Sequence, residues 1–131
     1  MYLLDTNTLI YAFRNAGAVR QRIAATPDDA IALSTMNLFE LEFGFSKSVD
    51  PTTQRGQLAE LTTRFKVLDF DVDSARKAGQ LKAFLQANGT PIGPYDLLIA
   101  GIALAHNRIV VTRNVREFSR VPGLRVDNWY E

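Results

Sequence analysis

Short apolar runs alternate with longer stretches of helical periodicity along this chain. Runs rich in β-branched and aliphatic residues predict strands, and apolar positions every three or four residues predict helices. The predicted strands are Tyr2–Leu4, Ile31–Ser34, Lys66–Phe70, Ile109–Thr112 and Leu124–Val126. The predicted helices are Thr6–Phe13, Ala18–Thr26, Met36–Ser46, Thr52–Phe65, Ser74–Asn88 and Tyr95–His106. This alternation indicates right-handed βαβ units, and therefore an α/β fold with a mostly parallel sheet and helices on both faces. With 131 residues and no internal repeat, we expect one domain over residues 1–131.

Asp5 stands directly after the first predicted strand and before the helix Thr6–Phe13. Open α/β sheets bind their ligands at the carboxyl ends of the strands, so this position favours a functional carboxylate. An aspartate before a helix is also an ordinary N-cap, and Asp5 alone does not distinguish the two roles. Glu40 and Asp96 lie at comparable ends of elements far along the chain. Carboxylates gathered at one edge of a sheet would bind a hard cation.

Glu40 and Glu42 share the helix Met36–Ser46 but point to different sides, because two residues turn a helix by about 200°. Gly44 lies one turn after Glu40. A residue without a side chain leaves open space beside that carboxylate. We therefore predict that Glu40 is the ligand and Glu42 a surface acid. The alternative for Glu40 is a solvated acid on an amphipathic helix.

Asp96 opens the helix Tyr95–His106, which is apolar around nearly its whole circumference. Such a helix is predicted to be buried, so Asp96 is a charge at the mouth of a buried element. The preceding segment Gly89–Pro94 is rich in glycine and proline, and we expect a loop that fixes where the helix begins. The alternative role for Asp96 is to complement the helix dipole in the first turn.

Thr112 and Asn114 follow the fourth predicted strand, next to where the first strand delivers Asp5. Their hydroxyl and amide groups are predicted to hold water bound to a metal. The alternative is turn chemistry, in which both residue types are common.

The composition excludes several kinds of chemistry. The chain has no cysteine, which excludes disulfides, thiolate zinc sites and cysteine nucleophiles, and its single histidine excludes a multi-histidine metal site. The net charge of +1 gives no strong overall field to indicate a nucleic-acid partner, although basic residues can cluster locally. No apolar stretch reaches the ~18 residues of a membrane span, and the N-terminus lacks a signal-peptide pattern. We therefore expect a cytoplasmic protein whose chemistry rests on carboxylates, hydroxyls and amides.

Together these residues form motifs that resemble those of a PIN domain and, more narrowly, of a VapC toxin from a bacterial type II toxin–antitoxin pair. In chain order the motifs are Asp5-Thr-Asn7, Glu40-Leu41 with Gly44, Ile92-Gly-Pro-Tyr-Asp96 with Ile99-Ala100, and Thr112-Arg-Asn114 with Glu117-Phe118. The resemblance covers nearly the whole chain and closes with Pro122-Gly-Leu-Arg-Val126 and Trp129.

The resemblance implies a PIN-like three-layer α/β/α sandwich with a sheet of about five strands, and an endoribonuclease that depends on Mg²⁺ or Mn²⁺. Its catalytic and metal-binding acids map onto Asp5, Glu40 and Asp96. Many PIN domains carry a fourth acid after the fourth strand, where this chain has Asn114, an amide that would contribute to the metal site only through water. Three converging carboxylates raise one another's pKa, and a divalent cation relieves their repulsion. Water activated by the metal would then attack phosphorus.

The same resemblance implies an RNA substrate and, in the most similar subgroup, tRNA cleaved in the anticodon loop of initiator tRNA. Substrate contacts are predicted for Asn7, Tyr95, Thr112, Arg113 and Arg116, with Tyr95 placed to stack on an unpaired base. The implied partners are a second copy of the chain in a homodimer and a VapB-type antitoxin in a hetero-oligomer. An antitoxin arginine or lysine would neutralise the acids.

Three other interpretations stay open. A PIN nuclease that processes RNA outside a toxin–antitoxin pair would share the fold, and a small antitoxin gene directly upstream would distinguish the toxin from it. A non-catalytic RNA-binding PIN scaffold is disfavoured because all three acids are present. A response-regulator-like domain requires a lysine after the fifth strand, which this chain lacks, and an acidic pair after the first strand, where Asp5 is followed by Thr6 and Asn7.

Overall fold

The computed structural model describes residues 1–131. Its elements in chain order are β1 (Tyr2–Leu4), α1 (Thr6–Phe13), α2 (Val19–Ala24), β2 (Ile31–Ser34), α3 (Thr35–Lys47), α4 (Thr52–Arg64), β3 (Lys66–Leu68), α5 (Val72–Ala87), α6 (Pro94–Ala105), β4 (Ile109–Val111), α7 (Val115–Phe118) and β5 (Val126–Asp127). A 3₁₀ turn, Asp28–Ala30, precedes β2. None of the helices combines the length and the apolar character that crossing a bilayer requires.

The sheet has five strands, all parallel, in the order β3-β2-β1-β4-β5. Leu3 of the central strand β1 lies opposite Ala32 of β2 on one side and Val110 of β4 on the other. The chain builds outward from β1 to β3 and then continues on the opposite side of β1. The strand order therefore reverses between β1 and β4, and the carboxyl ends at such a reversal form the crevice in which α/β sheets bind ligands.

Successive strand residues point to opposite faces of the sheet, and this separates two cores. Leu3 and Val110 belong to a cluster with residues of α5 and α6, whereas Leu4 and Val111 belong to a cluster with residues of α1, α2 and α3. Both clusters consist of buried apolar side chains. Two helical layers thus enclose the sheet, and the predicted three-layer α/β/α architecture is confirmed.

The helices α5 and α6 approach each other closely at Gly101. A Cβ atom at this position would lie 2.8 Å from the Cβ of Ala78 and 2.9 Å from the carbonyl oxygen of Ser74. Only glycine permits this separation without a shift of the helices. The contact seats α6 deep in the core, with its N-terminal turn at the carboxyl edge of the sheet.

Several predicted boundaries differ from the structure. β3 ends at Leu68 rather than Phe70, because Asp71 already caps α5 by accepting a hydrogen bond from the Ser74 backbone N–H at 2.8 Å. The last strand is Val126–Asp127 rather than Leu124–Val126, since the Leu124 N–H donates to the Val121 carbonyl in a turn. The single-turn helix α7 was not predicted, because four residues show no periodicity.

Candidate active site

Asp5 lies at the carboxyl end of β1, beside the reversal in strand order. Its backbone N–H donates to the Val111 carbonyl of β4 at 3.0 Å. Its Oδ1 accepts the Thr8 backbone N–H at 2.8 Å, which makes Asp5 the N-cap of α1. Only 4% of the residue is exposed. Burial raises the pKa of this carboxyl group, and hydrogen bonds from Thr112 and Thr8 offset part of the effect. The capping role and a buried acid near the sheet edge therefore coexist in one side chain.

A buried chain of hydrogen bonds orients Glu40 on α3. The Ser34 backbone N–H donates to Oδ1 of Asn37 at 2.8 Å, so the other end of the amide, Nδ2, is the donor to the Thr6 hydroxyl at 3.0 Å. The Thr6 hydroxyl accepts that hydrogen bond, and its own O–H donates to Oε1 of Glu40 at 2.7 Å. Sequence reasoning missed Thr6 and Asn37. The Ser34-x-x-Asn37 spacing of a capping box was the available signal.

Glu40 and Glu42 have contrasting surroundings, as the sequence predicted. Burial raises the pKa of Glu40, the Thr6 hydrogen bond lowers it, and the negative charge of Asp5 raises it. Glu42 is exposed and forms an ion pair with Arg55 at 2.7 Å. A cleft of about 360 Å³ opens beside Glu40 and Gly44, between α1, α3 and α4. The space that glycine was expected to leave is present.

Asp96 lies in the first turn of α6, three residues after the N-cap Gly93. Proline at the first helical position fits the start of this helix, since it has no N–H to leave unpaired. The pKa of Asp96 is raised from 3.8 to about 6, first by burial and then by the negative charges of Glu117, Asp5 and Glu40. Asp96 therefore lies within electrostatic reach of three other carboxylates.

Glu117 is an acid of this site that sequence reasoning did not single out. Its Oε1 accepts the backbone N–H of Gly93, and its Oε2 accepts Nδ2 of Asn114 at 2.6 Å. These hydrogen bonds hold the pKa of Glu117 below its usual value, so it stays ionised beside Asp96. Glu117 also ties the start of α6 to the start of α7. Its signals in the sequence were its place in the fourth motif, after Asn114, and the Asn114-x-x-Glu117 spacing at a helix start.

The two polar residues after β4 occupy different environments. Thr112 is fully buried, and its hydroxyl accepts the Asn114 backbone N–H at 2.9 Å and hydrogen bonds to Asp5. It lies behind Asp5 and has no surface to offer a substrate, contrary to the predicted contact. Asn114 is exposed, and its Nδ2 is engaged by Glu117, which leaves Oδ1 free.

The remaining predicted substrate contacts lie on the surface around the acids. Asn7 is exposed in the first turn of α1 and makes no side-chain hydrogen bond, and Arg116 is exposed on α7 without an ion pair. Tyr95, 45% exposed, precedes Asp96 and packs edge-on against Phe39, with ring centroids 5.3 Å apart. Arg113 is exposed and stacks on Tyr130.

The donor set of this site consists of oxygen atoms alone, which suits a hard cation. No three of the carboxylates are gathered into a ready-made metal site. Burial first, and then neighbouring negative charges, raise the pKa of Asp96, and a bound cation would favour its ionised form. Mg²⁺ retains several waters and uses few direct carboxylate ligands, so loosely spaced acids fit it. His106 caps the opposite end of α6, roughly 15 Å away along the helix axis.

Comparisons with known proteins give one consistent family. The family model of the PIN domain matches residues 2–124. The chain is 39% identical over 129 residues to the tRNA(fMet)-specific endonuclease VapC of Salmonella typhimurium, covering 98% of this chain and 97% of that protein. It is 34% identical over 131 residues to ribonuclease VapC2 of Rickettsia felis, covering 98% of each. The crystal structure of DNA-bound VapBC from Salmonella typhimurium superposes with a TM-score of 0.90, covering 98% of this chain and 97% of that one.

Proposed function

The chain belongs to the PIN-domain family, and from that premise we propose that it is a metal-dependent endoribonuclease toxin of the VapC type. It cleaves tRNA and thereby inhibits translation, and the anticodon loop of initiator tRNA is its target. The observation that carries the proposal is the close approach of acids from separate elements. Thr6, next to Asp5, donates to Glu40 at 2.7 Å, and the pKa of Asp96 is raised to about 6 by burial first and then by the charges of Glu117, Asp5 and Glu40. The tRNA(fMet) specificity of the Salmonella relative supports the choice of substrate. Residues 1–131 act as one domain.

Asp5, Glu40 and Asp96 are the catalytic acids and would hold Mg²⁺ or Mn²⁺, and Asn114 would contribute through water. A cation held there would neutralise these acids and would supply Lewis-acid activation of the attacking water. Oε1 of Glu40 accepts the Thr6 hydroxyl, so Oε2 is the oxygen that would face the cation. Glu117 keeps the loop before Asp96 in place through Gly93.

RNA contacts come from the exposed polar residues around the acids. Asn7, Arg113 and Arg116 bind the backbone, and Tyr95 stacks on an unpaired base beside the cut. Stacking on aromatic rings is how proteins commonly hold unpaired RNA bases. Thr112 supports Asp5 from behind instead of touching RNA.

The partners are a VapB-type antitoxin and a second copy of the chain. The helix α3 exposes Phe39 and Phe43, at 51% and 60%, which offers apolar surface for a homodimer or for the antitoxin. An arginine or lysine of the antitoxin would neutralise the acids, which explains inhibition by simple charge compensation. A cytoplasmic location follows from the substrate.

Cleavage of total tRNA by the purified protein in Mg²⁺ tests the activity and the site together. We expect discrete fragments from the wild type and none after EDTA treatment or with Asp5→Ala, Asp96→Asn or Glu40→Gln. Glu42→Gln is the matched control, because it removes the same charge from the other side of α3. If the variants of the three acids cut as well as the wild type, the assignment of the acids is wrong.

Expression in bacteria tests the toxin role. Induction of the wild-type chain is expected to arrest growth, and co-expression of the small protein encoded directly upstream is expected to restore it. A nuclease that processes RNA outside a toxin–antitoxin pair would cut RNA without a neutralising neighbour. Growth arrest that no upstream product relieves would therefore favour that alternative.

A further inference from the structure

We propose that Tyr11 and Tyr130 position the guanidinium of Arg113 as a preset binding group for an RNA phosphate at the edge of the acidic site. We call Tyr11, Arg113 and Tyr130 the aromatic clasp. The inference rests on the proposed function, because it assumes an RNA substrate. Tyr11 and Tyr130 are positioning residues that act on RNA through Arg113.

The rings and the guanidinium of the clasp form a compact stack. The guanidinium carbon of Arg113 lies 3.6 Å from the centroid of the Tyr130 ring and 5.7 Å from that of Tyr11. The two rings meet edge to face, with centroids 4.9 Å apart and planes at 66°. These contacts restrict a side chain that would otherwise sample many rotamers.

Backbone contacts hold Tyr130 in place. Its carbonyl accepts the Ala18 N–H at 2.8 Å, and its N–H donates to the Asn128 side chain at 2.9 Å. The fit against the turn between α1 and α2 is tight, since a Cβ at Gly17 would lie 2.5 Å from the Tyr130 carbonyl oxygen. Gly17 also has a φ of +60°, which favours glycine. The ring under Arg113 is therefore a fixed part of the fold.

Arg113 differs from most arginines of the chain because neither an acid nor a backbone carbonyl engages its guanidinium N–H groups. Four others form ion pairs with acids: Arg22, Arg55, Arg64 and Arg76. Another four donate to backbone carbonyls: Arg20, Arg108, Arg120 and Arg125. Arg113 forms neither kind of contact. Stacking covers the face of its guanidinium, whereas the in-plane N–H groups that bind phosphate in a bidentate manner remain available.

The location of Arg113 suits a phosphate near the scissile one. The residue before it, Thr112, hydrogen bonds to Asp5, so Arg113 begins at the rim of the acids. No ion pair joins Arg113 to an acid of the site or to any other carboxylate. Arg113 is thus not neutralised by the catalytic carboxylates. An arginine ordered before binding loses less entropy when it takes hold of a phosphate.

Binding of fluorescently labelled tRNA to Asp96→Asn protein, measured by anisotropy without cleavage, tests the clasp. We expect Arg113→Ala to raise Kd about 5- to 20-fold and Tyr130→Ala about 3- to 10-fold, as for loss or loosening of one charged contact. The double variant should match Arg113→Ala alone, because Tyr130 acts through Arg113. The slope of log Kd against log salt should fall by roughly 0.7–0.9 for each of these variants, the share of one phosphate.

Three controls separate positioning from general damage. Tyr130→Phe keeps the ring and should bind like the wild type, and Arg76→Ala removes the same charge elsewhere and should change Kd by less than about twofold. In proteins that keep Asp96, Arg113→Ala and Tyr130→Ala should raise KM and leave kcat within about twofold. The clasp is refuted if Tyr130→Ala weakens tRNA binding equally in the presence and absence of Arg113. It is also refuted if Arg113→Ala and Tyr130→Ala leave Kd unchanged. If the Arg113 and Tyr130 variants lose tRNA affinity as expected but the wild-type protein cleaves no RNA, the clasp is supported and the proposed activity is contradicted.

Discussion

Replacing Asp96 by asparagine is expected to stabilise the protein in the absence of metal, although it removes a proposed catalytic acid. The pKa of Asp96 is raised from 3.8 to about 6 by burial and by the charges of Glu117, Asp5 and Glu40. A carboxyl group whose pKa is higher in the folded state contributes its full stabilisation when the pH is below its unfolded-state pKa. This contribution is lost as the pH rises through the folded-state pKa. At neutral pH, ionised Asp96 therefore opposes folding.

The size of the effect follows from the shift. At 1.36 kcal/mol per pKa unit, the shift corresponds to a ceiling of about 3 kcal/mol, which solvent screening of this part-exposed group reduces to about 1–2 kcal/mol. Loss of the favourable interaction with the helix N-terminus removes about 0.5 kcal/mol of that gain. We expect Asp96→Asn to raise the free energy of unfolding by about 1 kcal/mol and Tm by about 3–5 °C.

Urea unfolding in EDTA at pH 7.5 and pH 4.5 measures this difference. Most of it should disappear at pH 4.5, where Asp96 of the folded wild type is largely protonated. Added Mg²⁺ should stabilise the wild type more than the variant. Asp73→Asn is the matched control, because Asp73 also lies in the first turn of a helix but is exposed, and its loss should be slightly destabilising. An Asp96→Asn protein that is less stable at pH 7.5, or equally shifted at both pH values, would refute the reasoning.

Three further outcomes follow from other parts of the structure. Thr6→Val should raise the pKa of Glu40, move the acidic limb of the pH–rate profile to higher pH and lower kcat about tenfold, whereas Thr6→Ser should retain activity. Gly101→Ala should lower the free energy of unfolding by about 1–3 kcal/mol through overpacking, whereas Gly79→Ala, with open space at its Cβ position, should raise it by roughly 0.5–1 kcal/mol in the same denaturation assay. A tRNA with a 2′-deoxyribose at the cleavage site should still be cleaved, because water rather than the 2′-hydroxyl attacks phosphorus. Its fragments should carry a 5′-phosphate and a 3′-hydroxyl, and failure to cleave this tRNA would contradict attack by water.

The positions of Asp5, Glu40 and Asp96 were predictable because strong local patterns define the elements that carry them. The short apolar run before Asp5 predicts a strand, and the apolar helix after Asp96 predicts a buried element with its charge at the mouth. Gly44 distinguished Glu40 from Glu42 by simple helix geometry. Strand–helix alternation predicted that the strands are parallel, but it did not predict their order in the sheet.

The supporting contacts could not be predicted from local patterns. Thr6 and Asn37 are 31 residues apart in sequence, and the N–H of Gly93 meets Glu117 across 24 residues. Such contacts depend on how helices seat on the sheet, which no periodicity encodes. Arg113 was expected at the RNA surface from its place after the fourth strand, but its stacking partner Tyr130 lies in an irregular segment. Tertiary packing alone brings that ring beneath it.

β1, the central strand of the sheet, precedes both of its neighbours, β2 and β4, in the sequence, so the sheet edge that carries Asp5 is completed late in synthesis. Leu4 of β1 pairs with Val111 of β4, so Asp5 leaves the ribosome long before the strand that supports it. Long-range parallel pairing of this kind forms slowly. Until β4 has been made, the chain therefore has Asp5 without the backbone hydrogen bond that Val111 accepts from it. A partner that binds the folded surface has the interval between the synthesis of β1 and the pairing of β4 in which to arrive.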